Sequence, residues 1–361
     1  MPQGKYSNWP KYALARLQRG GIKMSLRPLV SWEPLRDPKE GYSLLIGCNA
    51  PLAEMLGANL RMLSRQKLDH LDRIYVVFDR PPEELPIPVE ARMRELFPQL
   101  PLEFRFYNAK QVAVSKRLGL PWVYAWMSWC IGLAECRTRY ALMHDFDAML
   151  LRDDIIEERY RVIRETQAEF CGIRTYEGGG VYHDDGLVTT FELMFDAKFI
   201  RDNYHPVELV NTIRPFKGRY VDFDILLHIQ SKAGKKHVLP IDEEHMVHPS
   251  QVIDHFTRIS HFPNYVPPPS SSVLMVPYFL HLSDRSEPMR DLTQSLAASA
   301  DGKVQFFPRV VDFSRLSRPQ AAWLKKQANR LEQAVFGQMR PEVQAYFDAI
   351  SAMVERQPIS A

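Results

Sequence analysis

Cysteine is scarce: Cys48, Cys130, Cys136 and Cys171 are the only four in 361 residues, and none stands in a Cys-x-x-Cys pair. Scattered through apolar surroundings, they read as reduced core residues and not as a disulfide framework. Long apolar runs are also missing. None approaches the ~20 residues needed to span a bilayer, and the N-terminus lacks the continuous apolar stretch of a secretory signal. Both absences predict a cytoplasmic protein. A large charge of one sign is missing too, since the formal net charge is only +3. That is too little for a dedicated nucleic-acid binder, so no nucleic-acid partner is expected. Acid is locally absent: residues 1–32 carry Lys5, Lys11, Arg16, Arg19, Lys23 and Arg27, with no acid before Glu33. With Trp9, Tyr12, Leu14 and Leu17 interleaved, this arm could touch an anionic membrane surface as a peripheral contact. A solvated tail pinned on the fold is the plainer alternative.

What is present is the material of a folded protein. The 45% hydrophobic and 25% charged content exclude disorder. The length predicts one large α/β domain with appendages, or two domains. "YSLLIGCNA" reads as a strand, and "LAEMLGANLRMLSRQ" repeats apolar residues at Leu52, Met55, Leu56, Leu60 and Leu63 as an amphipathic helix does. Next come "DRIYVVFD" as strand, "VEARMRELF" as helix, "LEFRFYN" as strand, and a helix over "PWVYAWMSWCIGLAECRTR" that is apolar nearly all round. Trp122, Trp126 and Trp129 on that helix are therefore expected in the core. Strand "YALMHDFD", helix "DDIIEERYRVIRET", strand "EFCGIR", the loop "YEGGGVYHDDG" and strand "LVTTFELMFD" continue the alternation. Such alternation predicts a mostly parallel sheet with helices on both faces. Near the C-terminus, Leu324, Ala328, Leu331 and Val335, then Val343, Phe347, Ile350 and Val354, mark two amphipathic helices. They would pack on the body or on a second subunit, which makes a homodimer the simplest partner expectation.

Ligands of parallel sheets bind outside the carboxyl ends of the strands, so polar residues at strand exits come first. Asp79, Asp145 and Asp147 all stand at such exits. Two hard carboxylates one residue apart can present to one Mn²⁺ or Mg²⁺ while substrate phosphates and water fill the remaining positions. A nucleoside diphosphate suits that site.

With the order of elements before it, this segment resembles the GT-A glycosyltransferases. The likeness runs from "SLLIGCNAPLAEMLGANLRMLSRQ" through "RIYVVFD" to "GLAECRTRYALMHDFDAML", where a helix leads into a strand ending in Asp-x-Asp. The resemblance implies a GT-A fold over residues 41–285, with residues 1–40 a basic N-terminal extension and residues 286–361 a mainly helical C-terminal one. It implies that Asp79 contacts the nucleotide base, that Asp145 helps hold the donor ribose or the metal, and that Asp147 chelates the metal directly. "YVDFDILLHIQSKAGKKHVLPIDEEHMVHP" is similar to the Glu-Asp-x-Asp-Leu stretch of glycosyltransferase family 2, which implies Asp222 as the base that deprotonates the acceptor in an inverting enzyme. Val221 stands where that family has Glu, and His228 falls near its usual Arg. A helix-cap role for Asp222 and Asp224 remains open beside catalysis. The late histidine of several GT-A families is matched by His281, with His245 and His248 competing for the same role. Lys116 and Arg117 lie where the donor passes, or are solvated charges.

The function expected is transfer of a sugar from a nucleotide-sugar donor, UDP-linked, to a hydroxyl of a glycan, a lipid-linked or another acceptor. Two alternatives stand: a GT-A-shaped binding or scaffold protein without turnover, and an Asp-x-Asp phosphohydrolase. Against the second, several strand–helix units precede the motif. A sugar nucleotidyltransferase would want a Gly-rich phosphate loop after the first strand, which "GCNAPLAEMLG" is not.

Overall fold

The sequence alternation becomes strands and helices in a computed structural model that describes residues 5–6, 8–240, 244–249 and 251–356. The chain passes through β1 (Lys39–Cys48), β2 (Leu71–Phe78), β3 (Leu102–Phe106), β4 (Thr138–His144), a short β5 (Met149–Leu150), β6 (Phe170–Arg174) and β7 (Val188–Asp196). A hairpin of β8 (Thr212–Phe216) and β9 (Arg219–Phe223) and then β10 (Lys236–Leu239) follow. Seven of these strands form one sheet in the order β10-β6-β7-β4-β1-β2-β3. The pairs β1–β2, β1–β4, β2–β3 and β6–β10 are parallel, and β7 alone runs antiparallel to its neighbours β4 and β6.

By internal packing the chain divides into two units. The first comprises Met1–Ala53, Gln66–Phe146 and Asp154–Asp242, and the second Glu54–Arg65, Asp147–Asp153 and Glu243–Ala361. The first unit holds the large sheet together with α1 (Trp9–Leu26), the second begins with α2 (Leu56–Leu63), and the first then continues with α3 (Val89–Leu96), α4 (Ala109–Leu118), α5 (Pro121–Glu135), α6 (Ile155–Thr166), α7 (Ala197–Asn203) and α8 (Leu227–Gln230).

Small residues let α5 approach β1 closely. A Cβ at Gly132 would stand 3.2 Å from Leu45 Cδ2, and one at Gly47 would stand 2.9 Å from Ser128 Cβ. On the other side, Tyr160 of α6 packs on Tyr42 and Tyr140, with ring centroids 5.3 and 5.8 Å away, and Glu157 accepts from the Tyr42 hydroxyl at 2.8 Å. Residues 42 and 45 point to opposite sides of a strand, so helices cover both faces. The fold class expected from the sequence is therefore present. Trp126 and Trp129 are buried in the core, Trp122 packs partly buried against it, and all four cysteines are buried and unpaired.

In the second unit, α2 packs with β5 and with α10 (Met275–Leu282), and β5 pairs antiparallel with β11 (Met246–Val247). Between and after these come α9 (Val252–His261), α11 (Glu287–Ala298), a hairpin of β12 (Lys303–Phe306) and β13 (Arg309–Asp312), α12 (Arg318–Phe336) and α13 (Pro341–Arg356). Ser317 caps α12 by accepting from the Gln320 N–H, and Gly337 ends it in the left-handed region, φ 75°. Leu324, Ala328 and Leu331 of α12 and Val343, Phe347 and Ile350 of α13 are fully buried. Tyr278 meets the Phe347 edge at 5.6 Å, and the Tyr346 hydroxyl donates to Leu274 O at 2.7 Å. The run "VPYFLHL" looks strand-like in sequence but is helix α10, and every residue of it is buried. A segment apolar all round has no exposed side to reveal its period. Among the described residues no helix is long and apolar enough to cross a membrane.

Candidate functional site

β4 is parallel to β1, as β2 is, so the residues after His144, Phe78 and Cys48 emerge at one carboxyl edge of the sheet. Phe146 turns inward and is buried, while the Asp145 N–H donates to Phe191 O of β7 at 2.9 Å. The chain then enters β5, whose pairing with β11 sets Met149 opposite Val247 and Leu150 opposite Met246. One more step along this antiparallel register brings His248 level with Ala148, next to Asp147. Nε2 of His248 lies 3.6 Å from Oδ1 of Asp147. Asn59 of α2 holds Ala148 O at 2.9 Å, and Leu151 N–H donates to His245 O at 2.8 Å, so both sides of this turn are anchored.

Asp145, Asp147 and His248 each offer one ligand atom, and these atoms lie within 4.8 Å of one another. Asp147 is buried, and its Oδ1 has no hydrogen-bond donor. A buried carboxylate oxygen without a donor is costly unless a cation completes it. Two hard oxygens and an imidazole form a donor set that fits a divalent ion such as Mn²⁺ or Mg²⁺. His281 is not in this group: on α10 its Nδ1 meets Ser286 Oγ at 2.8 Å, its Nε2 stands 3.7 Å from Glu342, and burial and then Arg340 push its pKa down. His245 meets Arg152 at 2.7 Å.

Asp79 follows β2 and is buried, accepting the Ala50 N–H at 2.8 Å and the Asn49 amide at 3.4 Å. Burial pushes its pKa up, opposed by the Ala50 N–H, by Arg80 and by Lys116. The segment carrying Lys116 and Arg117 is the last turn of helix α4, started by an Asn108–Gln111 capping box. Lys116 pairs with Glu84 at 3.0 Å, and Arg117 is exposed.

Asp222 lies within strand β9 of the hairpin, not at a helix start, since α8 begins at Leu227. Lys217 and Gly218, both at positive φ, make the two-residue turn between Phe216 and Arg219. The Asp222 N–H donates to Gly179 O at 2.8 Å. Gly179, at φ +61°, sits so near that a Cβ on it would come within 2.6 Å of Asp222 O. The Asp222 carboxylate stands 3.4 Å from Arg19 Nη2. Its pKa is raised by burial, with Arg19 and Lys5 pulling the other way. In the glycine-rich loop, burial works to raise Asp185, but Arg219, the Tyr182 N–H and Lys217 outweigh it and hold it low. Asp224 accepts from Asn211 at 2.7 Å and from the Ile225 N–H.

Sequence reasoning missed Arg19 as the partner of Asp222 and Asn49 as a partner of Asp79. It missed the hairpin too, although a Lys-Gly pair between two apolar-aromatic runs was its signal.

No family model matches the chain, and no curated protein matches it. Among solved structures it is similar to TarS of S. aureus in complex with UDP, at 14% identity over 87% of this chain and 90% of that chain, TM-score 0.39. It is also similar to the mannosyltransferase PcManGT from Pyrobaculum calidifontis in complex with GDP-Man and Mn²⁺, at 14% identity over 96% of each chain, TM-score 0.38. A third is the galactosyltransferase LgtC in complex with donor and acceptor sugar analogs, at 13% identity over 46% of this chain and 62% of that chain, TM-score 0.35.

Proposed function

We propose that the chain is a metal-dependent glycosyltransferase of GT-A type that moves a sugar from a nucleotide-sugar donor to a hydroxyl acceptor. The observation carrying this reading is the buried, donor-free Oδ1 of Asp147, with Asp145 and His248 beside it at the exit of a parallel-sheet strand. Asp145, Asp147 and His248 hold the ion, His248 being preferred to His281 because the β5–β11 ladder delivers it to Asp147. The ion, Mn²⁺ or Mg²⁺, would neutralise negative charge on the leaving diphosphate.

Asp79 accepts from the nucleotide base, the donor being UDP-linked. Lys116 and Arg117 add positive charge on the donor side. Asp222 takes the proton of the attacking hydroxyl, which requires it ionised and within hydrogen-bond reach of the acceptor. Burial raises its pKa against the pull of Arg19 and Lys5, which makes it a better proton acceptor than an ordinary aspartate when ionised. Direct attack assisted by this base gives inversion at the anomeric carbon. The division into a basic arm (1–40), a catalytic body (41–285) and a helical extension (286–361) belongs to the same proposal.

Calorimetric titration with UDP and GDP, with Mn²⁺, with Mg²⁺ and in excess chelator, tests the reading. Binding is expected only with the ion and is expected to vanish in Asp147→Ala. Equally tight binding in chelator would overturn it. Slow release of free sugar from a nucleotide-sugar panel, with metal and without acceptor, separates an active transferase from a scaffold.

A further inference from the structure

Helix α1 has two apolar stripes, and only one of them is used. Tyr12 and Leu26 are buried and Ile22 packs against the core, while the Tyr12 ring stacks on Tyr220 at 4.1 Å. On the opposite side, Pro10, Leu14, Leu17, Gly21 and Met24 follow the spacing i, i+4, i+7, i+11, i+14 and so form a single line along the helix. Leu14, Leu17 and Met24 are 59%, 75% and 79% exposed, and Trp9 in the first turn is 65% exposed. Single exposed apolar side chains are ordinary, but a row of large ones along one helix face is not.

The flanks of this line are basic. Lys11, Arg16 and Arg27 are exposed, and α1 contains no acidic residue. The positive field extends onto the neighbouring hairpin and the turn after α8. Lys23 is pushed down to about 8 by burial and by Arg214, with Arg19 and Lys232 adding to it against Glu208. His228 is pushed down to about 4 by burial, Lys232, Arg214 and Lys23.

We propose that α1 is an interfacial helix that docks the protein on an anionic lipid bilayer, with Leu14, Leu17, Met24 and Trp9 entering the headgroup–acyl boundary and Lys11, Arg16 and Arg27 meeting the headgroups. The combination selects this occupant. A nucleic acid would satisfy the cations and leave the leucine row in water. A second copy docked through the same helix would set basic flank against basic flank. A bilayer with anionic headgroups takes both the apolar row and the charge.

The test is co-sedimentation of the full chain with vesicles of phosphatidylcholine alone and of phosphatidylcholine mixed with phosphatidylglycerol. Binding is expected only to the mixed vesicles and is expected to weaken as salt rises. Leu17→Glu should weaken it about tenfold or more, the worth of burying one leucine. Lys11→Gln with Arg16→Gln should weaken it on the order of twentyfold, from the loss of two surface cations. Both sites are exposed, and an unchanged thermal melt verifies folding. No sedimentation of the wild type, equal sedimentation of Leu17→Glu, or a wild-type dimer that Leu17→Glu dissociates without vesicles would each overturn the proposal.

Discussion

His248 Nε2 stands 3.6 Å from Asp147 Oδ1, an acidic oxygen buried without a hydrogen-bond donor. Asp147 precedes β5 and His248 follows β11, so the contact depends on a ladder of only two residue pairs. His248→Ala should therefore weaken Mn²⁺ binding by more than the tenfold to hundredfold that loss of an outer partner costs a metal site. His281→Ala should leave it unchanged. Manganese titration followed by electron paramagnetic resonance measures both, and a larger loss in His281→Ala would reverse the ligand assignment.

Asp222 should show opposite trends in activity and stability. Its folded pKa is raised by burial, with Arg19 opposing. A raised pKa means the folded state holds the proton more tightly, so this group favours folding fully below its unfolded pKa of about 3.9. The contribution is lost as pH rises through the folded value. The proposed base role needs the ionised form, so turnover should rise over the same interval. Asp222→Asn should cut turnover on the order of 10²–10⁴-fold, abolish that limb of the pH–rate profile and leave donor binding intact. A variant within a fewfold of wild type would remove Asp222 from the base role.

Gly179 controls the backbone of Asp222. A methyl group there meets Asp222 O at 2.6 Å, in a left-handed conformation that L-residues adopt at a cost. Gly179→Ala is expected to lower turnover with little change in metal affinity, because the Asp145–Asp147–His248 group lies on other elements. Parallel turnover and manganese measurements check this, and equal loss in both would indicate general unfolding.

Arg159 and Glu192, each with 2% side-chain exposure, form an ion pair between α6 and β7 at 3.2 Å. Glu192→Ala would leave a guanidinium buried without its counter-charge, a loss of about 3–5 kcal/mol by urea unfolding. Replacing both with apolar residues of similar volume should cost far less, and equal losses in the two variants would argue against the pair as the cause.

Much of the architecture was legible because its strands are apolar and its helices punctuated. "SLLIGCNA", "RIYVVFD" and "YALMHDFD" declare themselves by burial and end in polar residues, which is also why Asp79, Asp145 and Asp147 were readable at strand exits. His248 was harder. Its place depends on a pairing between "ML" and "MV", two-residue strands too short to leave a periodicity. His281 was matched instead to the late histidine of several GT-A families, at the end of the strand-like run "VPYFLHL", and a uniformly apolar run does not distinguish strand from the buried helix found there. Asp222 was read ahead of a helix because "DFDILLHIQ" carries acids before apolar residues. The Lys217–Gly218 turn folds it into a hairpin first.

The β5–β11 ladder also has a kinetic meaning. Its two strands are far apart in sequence, and so few pairs give little enthalpy to hold the closure of so long a loop. Its amides at Met246 and Val247 should exchange with solvent through local opening, well before those of β1 or β4. An ion bound by Asp147 and His248 would clamp both strands at once, and exchange at these amides would slow in proportion to its occupancy. The affinity for such an ion would then be set partly by how often the ladder is closed, so the same ligands on a stiffer turn would hold it more tightly.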